Sequence, residues 1–238
     1  MLRPTEEQRI SWEENGFVVV EDAILGEQLS SLQGAFERCA RDAKADWLQG
    51  VAEGTQSAAY FDIPRACQLD DVFIDIVDHP SYYGMLMDFT DGEVVFIGPQ
   101  VRTLPLSPAS YSWWHPDMPQ SSTLHIKLQI YMDDVGPDEG VFSYIPGSHK
   151  KEAGPFPSVR WLENMPGHHL LPGRAGTAII FNCYGWHTAM VNRSQQQRRS
   201  IILGYATTKE EGLDKHAFAP ISDKLDNPER RKLFRMEN

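Results

Sequence analysis

Residues His125, Ile126, Lys127, Leu128, Gln129, Ile130, Tyr131 and Met132 alternate strictly in character. Successive side chains of a strand point to opposite faces, so Ile126, Leu128, Ile130 and Met132 share an apolar face. Lys127, Gln129 and Tyr131 share the other. A period of two over this length predicts a strand with one face covered. The polar face either meets water or lines a site inside the mouth of a barrel, and the tyrosine favours the second. Segments 94–97, 123–132, 140–145, 177–181 and 200–206 all read as strands, punctuated by Gly, Pro and Asp clusters. Short strands at such intervals predict a mainly β domain, a barrel or jelly roll with helices packed outside it.

The helices belong to the first third of the chain. Thr5 caps a helix, with Gln8 three positions on as in a capping box, and Asn15-Gly16 ends it. Residues 17–20 then read as a short strand. Leu29, Leu32, Phe36, Cys39 and Ala40 recur at helical spacing and predict an amphipathic helix over 27–48. A helical segment is expected over 71–88, interrupted at Pro80. Residues 150–173 read as a long surface loop, and the charged tail from 214 as a terminal helix or a frayed end. There is no repeat and no linker. We therefore expect one domain over 1–238, with a helical part at about 1–92 and a jelly-roll core at about 93–208.

Charge narrows the partners. With 33 acidic and 22 basic residues the formal charge is −11, so the broad basic surface that nucleic acid or an anionic membrane demands is not expected. No apolar run approaches bilayer length, and the first residues lack a signal-peptide core. Cys39, Cys67 and Cys183 are odd in number and far apart, which suggests reduced thiols and a cytoplasmic protein.

The strongest chemical signal is Trp113-Trp114-His115-Pro116-Asp117. On an extended segment, a histidine and a carboxylate two positions apart point the same way and bring one nitrogen and one oxygen donor together. Two histidines and a carboxylate on one octahedral face hold iron(II) in non-haem oxygenases and leave three positions open. His187, just beyond the strand at 177–181, is the best candidate for the missing ligand. An isolated pair of this kind is a weak signal, since most histidines and aspartates are structural or exposed. Arg198 follows His187 by eleven residues, and Ser200 lies on the same side of its strand. A guanidinium beside a hydroxyl suits a carboxylate; an exposed basic pair at a strand entrance is the alternative.

These pieces, in order, resemble the phytanoyl-CoA dioxygenase family of iron(II)/2-oxoglutarate oxygenases. The resemblance runs through Glu13-Glu14-Asn15-Gly16-Phe17-Val18-Val19-Val20, His115-Pro116-Asp117, Met132-Asp133-Asp134 and Glu139-Gly140. It continues through Ile145-Pro146-Gly147-Ser148-His149-Lys150 to His187, Asn192, Arg198 and Ser200. It implies a double-stranded β-helix (cupin-like jelly roll) with iron on His115, Asp117 and His187. It also implies that Arg198, helped by Ser200, pairs with the distal carboxylate of 2-oxoglutarate. Gln129 is expected to contact that cosubstrate, and Arg102, Trp113 and Tyr131 the substrate. One of Trp113 and Trp114 should face the pocket and the other the core. His149 is expected to be structural.

The implied reaction uses iron(II), 2-oxoglutarate and O2 to oxidise a small molecule, hydroxylation being the default, with release of succinate and CO2. Desaturation, cyclisation, epoxidation and epimerisation remain open outcomes, and a secondary-metabolite intermediate is the expected substrate. Two other readings stand beside this one: a cupin-type metal enzyme such as an isomerase, working without 2-oxoglutarate, and a non-catalytic jelly-roll binding protein.

Overall fold

The computed structural model describes residues 2–106, 113–120, 123–160, 162–207, 214 and 216–236. Thr5 and Gln8 form the expected capping box for helix α1 (Glu6–Asn15), and Gly16 closes it at φ 85°, a left-handed conformation that glycine adopts without penalty. Strand β1 (Phe17–Val20) follows as expected. Helix α2 runs further than its sequence pattern, over Gly26–Ala52. The expected helical stretch at 71–88 is split into α4 (Val72–Asp75) and α5 (Tyr83–Phe89), with the break around Pro80. A short α3 (Ala66–Leu69) precedes them.

The remaining strands are β2 (Phe61–Ile63), β3 (Val94–Leu104), β4 (His125–Tyr131), β5 (Phe142–Tyr144), β6 (His169–Leu171), β7 (Ala178–Asn182), β8 (His187–Ala189) and β9 (Arg198–Thr207). They form a six-stranded sheet in the order β1-β7-β4-β9-β3-β2 and a three-stranded sheet in the order β6-β5-β8. Adjacent strands pair antiparallel. Two expectations need correcting. The 150–173 segment is not all loop, because His169–Leu171 pairs with β5. The first 92 residues hold a strand beyond the expected one at 17–20, because β2 pairs with β3 and extends the large sheet. The tail holds a 3-10 turn (Ala219–Lys224) and α6 (Pro228–Leu233), and Leu233 and Phe234 are buried; Lys215 and residues 237–238 lie outside the described residues.

Alternation decides where each side chain goes. Ile126, Leu128 and Ile130 of β4, with Ile201, Leu203 and Tyr205 of β9, join Leu32, Phe36, Phe73 and Leu86 in the outer core under the helices. The opposite face turns inward toward the small sheet, where Tyr131, Phe142, Tyr144, Ile179 and Phe181 form a second core. The candidate site sits on this inner face.

Candidate metal centre and its cavity

Residues 115–117 are anchored to the far end of the chain by backbone bonds. His115 and His187 exchange N–H···O bonds of 3.1 and 3.0 Å, and the Asp117 N–H donates to the Cys183 carbonyl at 2.9 Å. One donor atom from each of His115, Asp117 and His187 then lies within 4.8 Å of the others. His115 Nδ1 meets the Trp113 carbonyl at 2.7 Å, and His187 Nδ1 meets the Gly185 carbonyl at 2.9 Å. A carbonyl can only accept, so both Nδ1 atoms carry the proton and both Nε2 lone pairs are available to a metal. Burial lowers the His115 pKa, helped by the neighbouring His187, and favours that neutral form.

Asp117 is held asymmetrically. Lys127 Nζ donates to its Oδ1 at 2.6 Å, while Oδ2 is buried without a hydrogen bond, 3.3 Å from His187 Nε2. Burial pushes the carboxyl up, but the Lys127 ammonium pulls it down, and the group is held below the usual carboxylate range.

A cavity of about 270 Å³ adjoins these donors, and Lys127, Gln129, Arg102 and Arg198 also line it. Arg198 is buried; its Nη1 donates to the Gly140 carbonyl at 2.6 Å and its Nη2 to Ser200 Oγ at 3.3 Å, while its Nε has no partner. No carboxylate among the described residues pairs with it. Burial lowers its pKa to about 10, a cost that an incoming carboxylate would remove. Gln129 Nε2 is likewise buried without a partner. Unsatisfied donors of this kind are rare in a finished core and fit a ligand. The residues present thus fit both a divalent ion and a dicarboxylate.

Arg102 lines the same cavity, where it makes two 2.7 Å bonds to Asp62 and lies 4.1 Å from the centre of the Tyr60 ring. Trp113 and Tyr131 do not line it. Trp113 is 53% exposed, and Trp114 is buried in the inter-sheet core. Tyr131 is fully buried; its hydroxyl donates to the Leu171 carbonyl and accepts from the Phe142 N–H. Direct substrate contact by Trp113 or Tyr131 therefore has no place in the described cavity, and neither tryptophan faces it. His149 packs against Gly16, away from the donors.

Sequence reasoning missed Lys127 as a site residue, although alternation had placed it on the face of Gln129. It also missed Asp62 and Tyr60, which no local pattern ties to Arg102.

The sequence profile of the phytanoyl-CoA dioxygenase family matches residues 12–200. An ectoine dioxygenase of Streptomyces anulatus is 22% identical, with 88% of this chain and 80% of that protein covered. One of Bordetella bronchiseptica is also 22% identical, covering 82% and 73%. Among solved structures, HygX of Streptomyces hygroscopicus with nickel, 2-oxoglutarate and hygromycin B bound superposes with a TM-score of 0.67 at 16% identity, covering 87% and 88% of the two chains. The 2-oxoglutarate-dependent carbocyclase SnoK from nogalamycin biosynthesis gives 0.65 at 19%, covering 86% and 84%. At these identities the superpositions establish the fold, a cupin-like jelly roll.

Proposed function

The chain belongs to the phytanoyl-CoA dioxygenase family and is an iron(II)- and 2-oxoglutarate-dependent dioxygenase; we propose that His115, Asp117 and His187 hold its iron and that Arg198, Ser200 and Gln129 receive 2-oxoglutarate. One observation carries the reading: a three-donor cluster and a buried guanidinium without a carboxylate partner share one cavity.

Bound iron with 2-oxoglutarate supplies oxidative decarboxylation to succinate and carbon dioxide, coupled to oxidation of the substrate. The chain's own residues do the rest. The Trp113 and Gly185 carbonyls fix both imidazoles with Nε2 inward. Lys127 holds Asp117 Oδ1 and leaves Oδ2 to the ion. Arg198 takes the distal carboxylate, and its bond to Gly140 stops it from following the ligand outward. Gln129 Nε2 offers the cosubstrate a further donor, and Phe142 and Phe181 pack around His187 and help exclude water.

The substrate is a small molecule, and we take it to be a secondary-metabolite intermediate, since the similar SnoK belongs to nogalamycin biosynthesis and the similar HygX binds hygromycin B. Arg102, paired with Asp62, lines the cavity beside Tyr60 as a candidate substrate contact. Hydroxylation is the default outcome. The related fold of a carbocyclase shows that the fold alone does not fix it.

The test is an anaerobic titration of the iron(II)-loaded protein with 2-oxoglutarate, following the weak visible band of the chelate. The band should appear in wild type, vanish in Asp117→Ala and weaken greatly in Arg198→Ala. Iron bound without a band would favour a cupin-type enzyme working without 2-oxoglutarate.

A further inference from the structure

On the inner face of the large sheet, strand registers align side chains in rows. Gln129, Ile202 and Gln100 form one row. The next row is Lys127, Gly204 and Gly98. Two of its three members have no side chain, and β3 carries a register shift between Phe96 and Gly98. The sheet is hollowed there, and a second cleft of about 500 Å³ opens beside the first. The two share Gln100, Asp117, Lys127 and Ile202, so the cleft reaches a candidate metal ligand. Its walls are largely apolar, with Ile97, Pro99, Met118 and Ile202 among them, and Lys127 is the one lysine or arginine among its described lining residues.

Charge then limits what the cleft can accept. The two charges of iron(II) and the two of 2-oxoglutarate cancel. Asp117 cancels one of the two remaining cations, Arg198 and Lys127, and Arg102 is already matched by Asp62. Among the described residues one positive charge is left over, and an uncompensated charge in a partly buried site is costly. An ammonium has three donors, and Asp117 uses one of those on Lys127.

We propose that the substrate is a monoanion with an apolar body: the body lies in the cleft hollowed by Gly98 and Gly204, and the acidic group meets Lys127. The inference rests on the iron and 2-oxoglutarate reading above, because the charge balance uses both.

The test uses full-length protein loaded with nickel(II) and 2-oxoglutarate, which does not turn over. Two dyes share one aromatic body: 8-anilinonaphthalene-1-sulfonate carries an anionic group, and N-phenyl-1-naphthylamine does not. Both gain emission on entering an apolar site. The anionic dye should bind about tenfold more tightly than the neutral one, as one charge-assisted hydrogen bond predicts. Lys127→Met should abolish that preference and Lys127→Arg should keep it. Gly204→Val, whose Cβ meets only ordinary contacts, should weaken both dyes by filling the cleft. Equal binding of the two dyes, a preference that survives Lys127→Met, binding unaffected by Gly204→Val, or no saturable emission from either dye would each overturn the proposal. The iron(II) chelate band, recorded on wild type and Gly204→Val, reports separately on the underlying reading. A missing band in wild type sinks that reading, whereas a band with failed dye binding sinks only the inference.

Discussion

Lys127 Nζ donates to Asp117 Oδ1 over 2.6 Å, and the other carboxylate oxygen, Oδ2, has no hydrogen bond. The two oxygens of one ligand are thereby made unequal before any ion arrives. A lysine here works against metal affinity, because it repels a dication, and works for geometry, because it commits one oxygen and leaves one.

Lys127→Met should therefore move two quantities in opposite directions. Nickel(II) should bind more tightly, on the order of tenfold, once the repelling charge is gone. The metal-free protein should lose about 1–3 kcal/mol, because a partly buried carboxylate loses its partner. The pKa of Asp117 is held below its ordinary 3.8. The stability that Lys127 contributes is thus fully present above that value and is lost as pH falls through the lowered one. Urea unfolding of both proteins at pH 7 and near pH 2 checks this: the gap should shrink in acid. Weaker nickel binding in the variant, or a gap independent of pH, would contradict the arrangement.

Arg198 should cost the ligand-free protein stability. Burial lowers its pKa to about 10, which corresponds to on the order of 3 kcal/mol. For a base the cost is present in full below about pH 10 and is relieved as pH rises above it. Arg198→Met removes that cost but strands the Gly140 carbonyl, which returns about 1–2 kcal/mol. The metal-free variant should thus melt at or a few degrees above wild type. Only wild type should gain further when nickel and 2-oxoglutarate are added, by about 2.7 kcal/mol at a hundredfold excess over Kd. Calorimetry with and without ligands decides it, and a variant that melts well below wild type without ligands would count against an uncompensated Arg198.

Gly185→Ala should damage the metal site from behind. An added Cβ would overlap the ring and hydroxyl of Tyr144, which lies near-parallel to the His187 ring at 10° and donates to the Asn182 carbonyl at 2.9 Å. Overpacking of this kind costs about 1–3 kcal/mol. Because the displaced ring borders His187, nickel affinity should fall with stability. Full stability together with unchanged nickel binding would show that the site is not braced there.

The cysteines should be inert in the native protein. All three are buried and free. Burial raises each thiol, Cys67 to about 12 and Cys183 well above its ordinary value. A chromogenic disulfide reagent at pH 8 should react with none of them until denaturant is added, and then with three. Fast reaction of one thiol without denaturant would mean that its surroundings open readily.

Much of this protein is written locally. Thr5 and Gln8 bracket α1, Gly16 ends it, and the period-two pattern of β4 sends Lys127, Gln129 and Tyr131 to one face whatever surrounds them. The pairing of His115 with Asp117 two positions on and the spacing from His187 to Arg198 are equally local, and together with the family resemblance they suggested the chemistry.

What the sequence could not determine is which inward side chain finds which partner. Tyr131 and Gln129 share a face, yet Tyr131 is sealed under Leu171 and Phe142 while Gln129 reaches the cavity, because β5 and β6 cover one row and not the next. Arg102 is matched by Asp62 only because β2 pairs beside β3, and residues 169–171 become a strand only because β5 offers them a free edge. Backbone periodicity is set by nearest neighbours and can be read along the chain. Ion pairs and burial are set by segments far apart along the chain, and only the folded sheets bring Lys127 to Asp117 and both to His187.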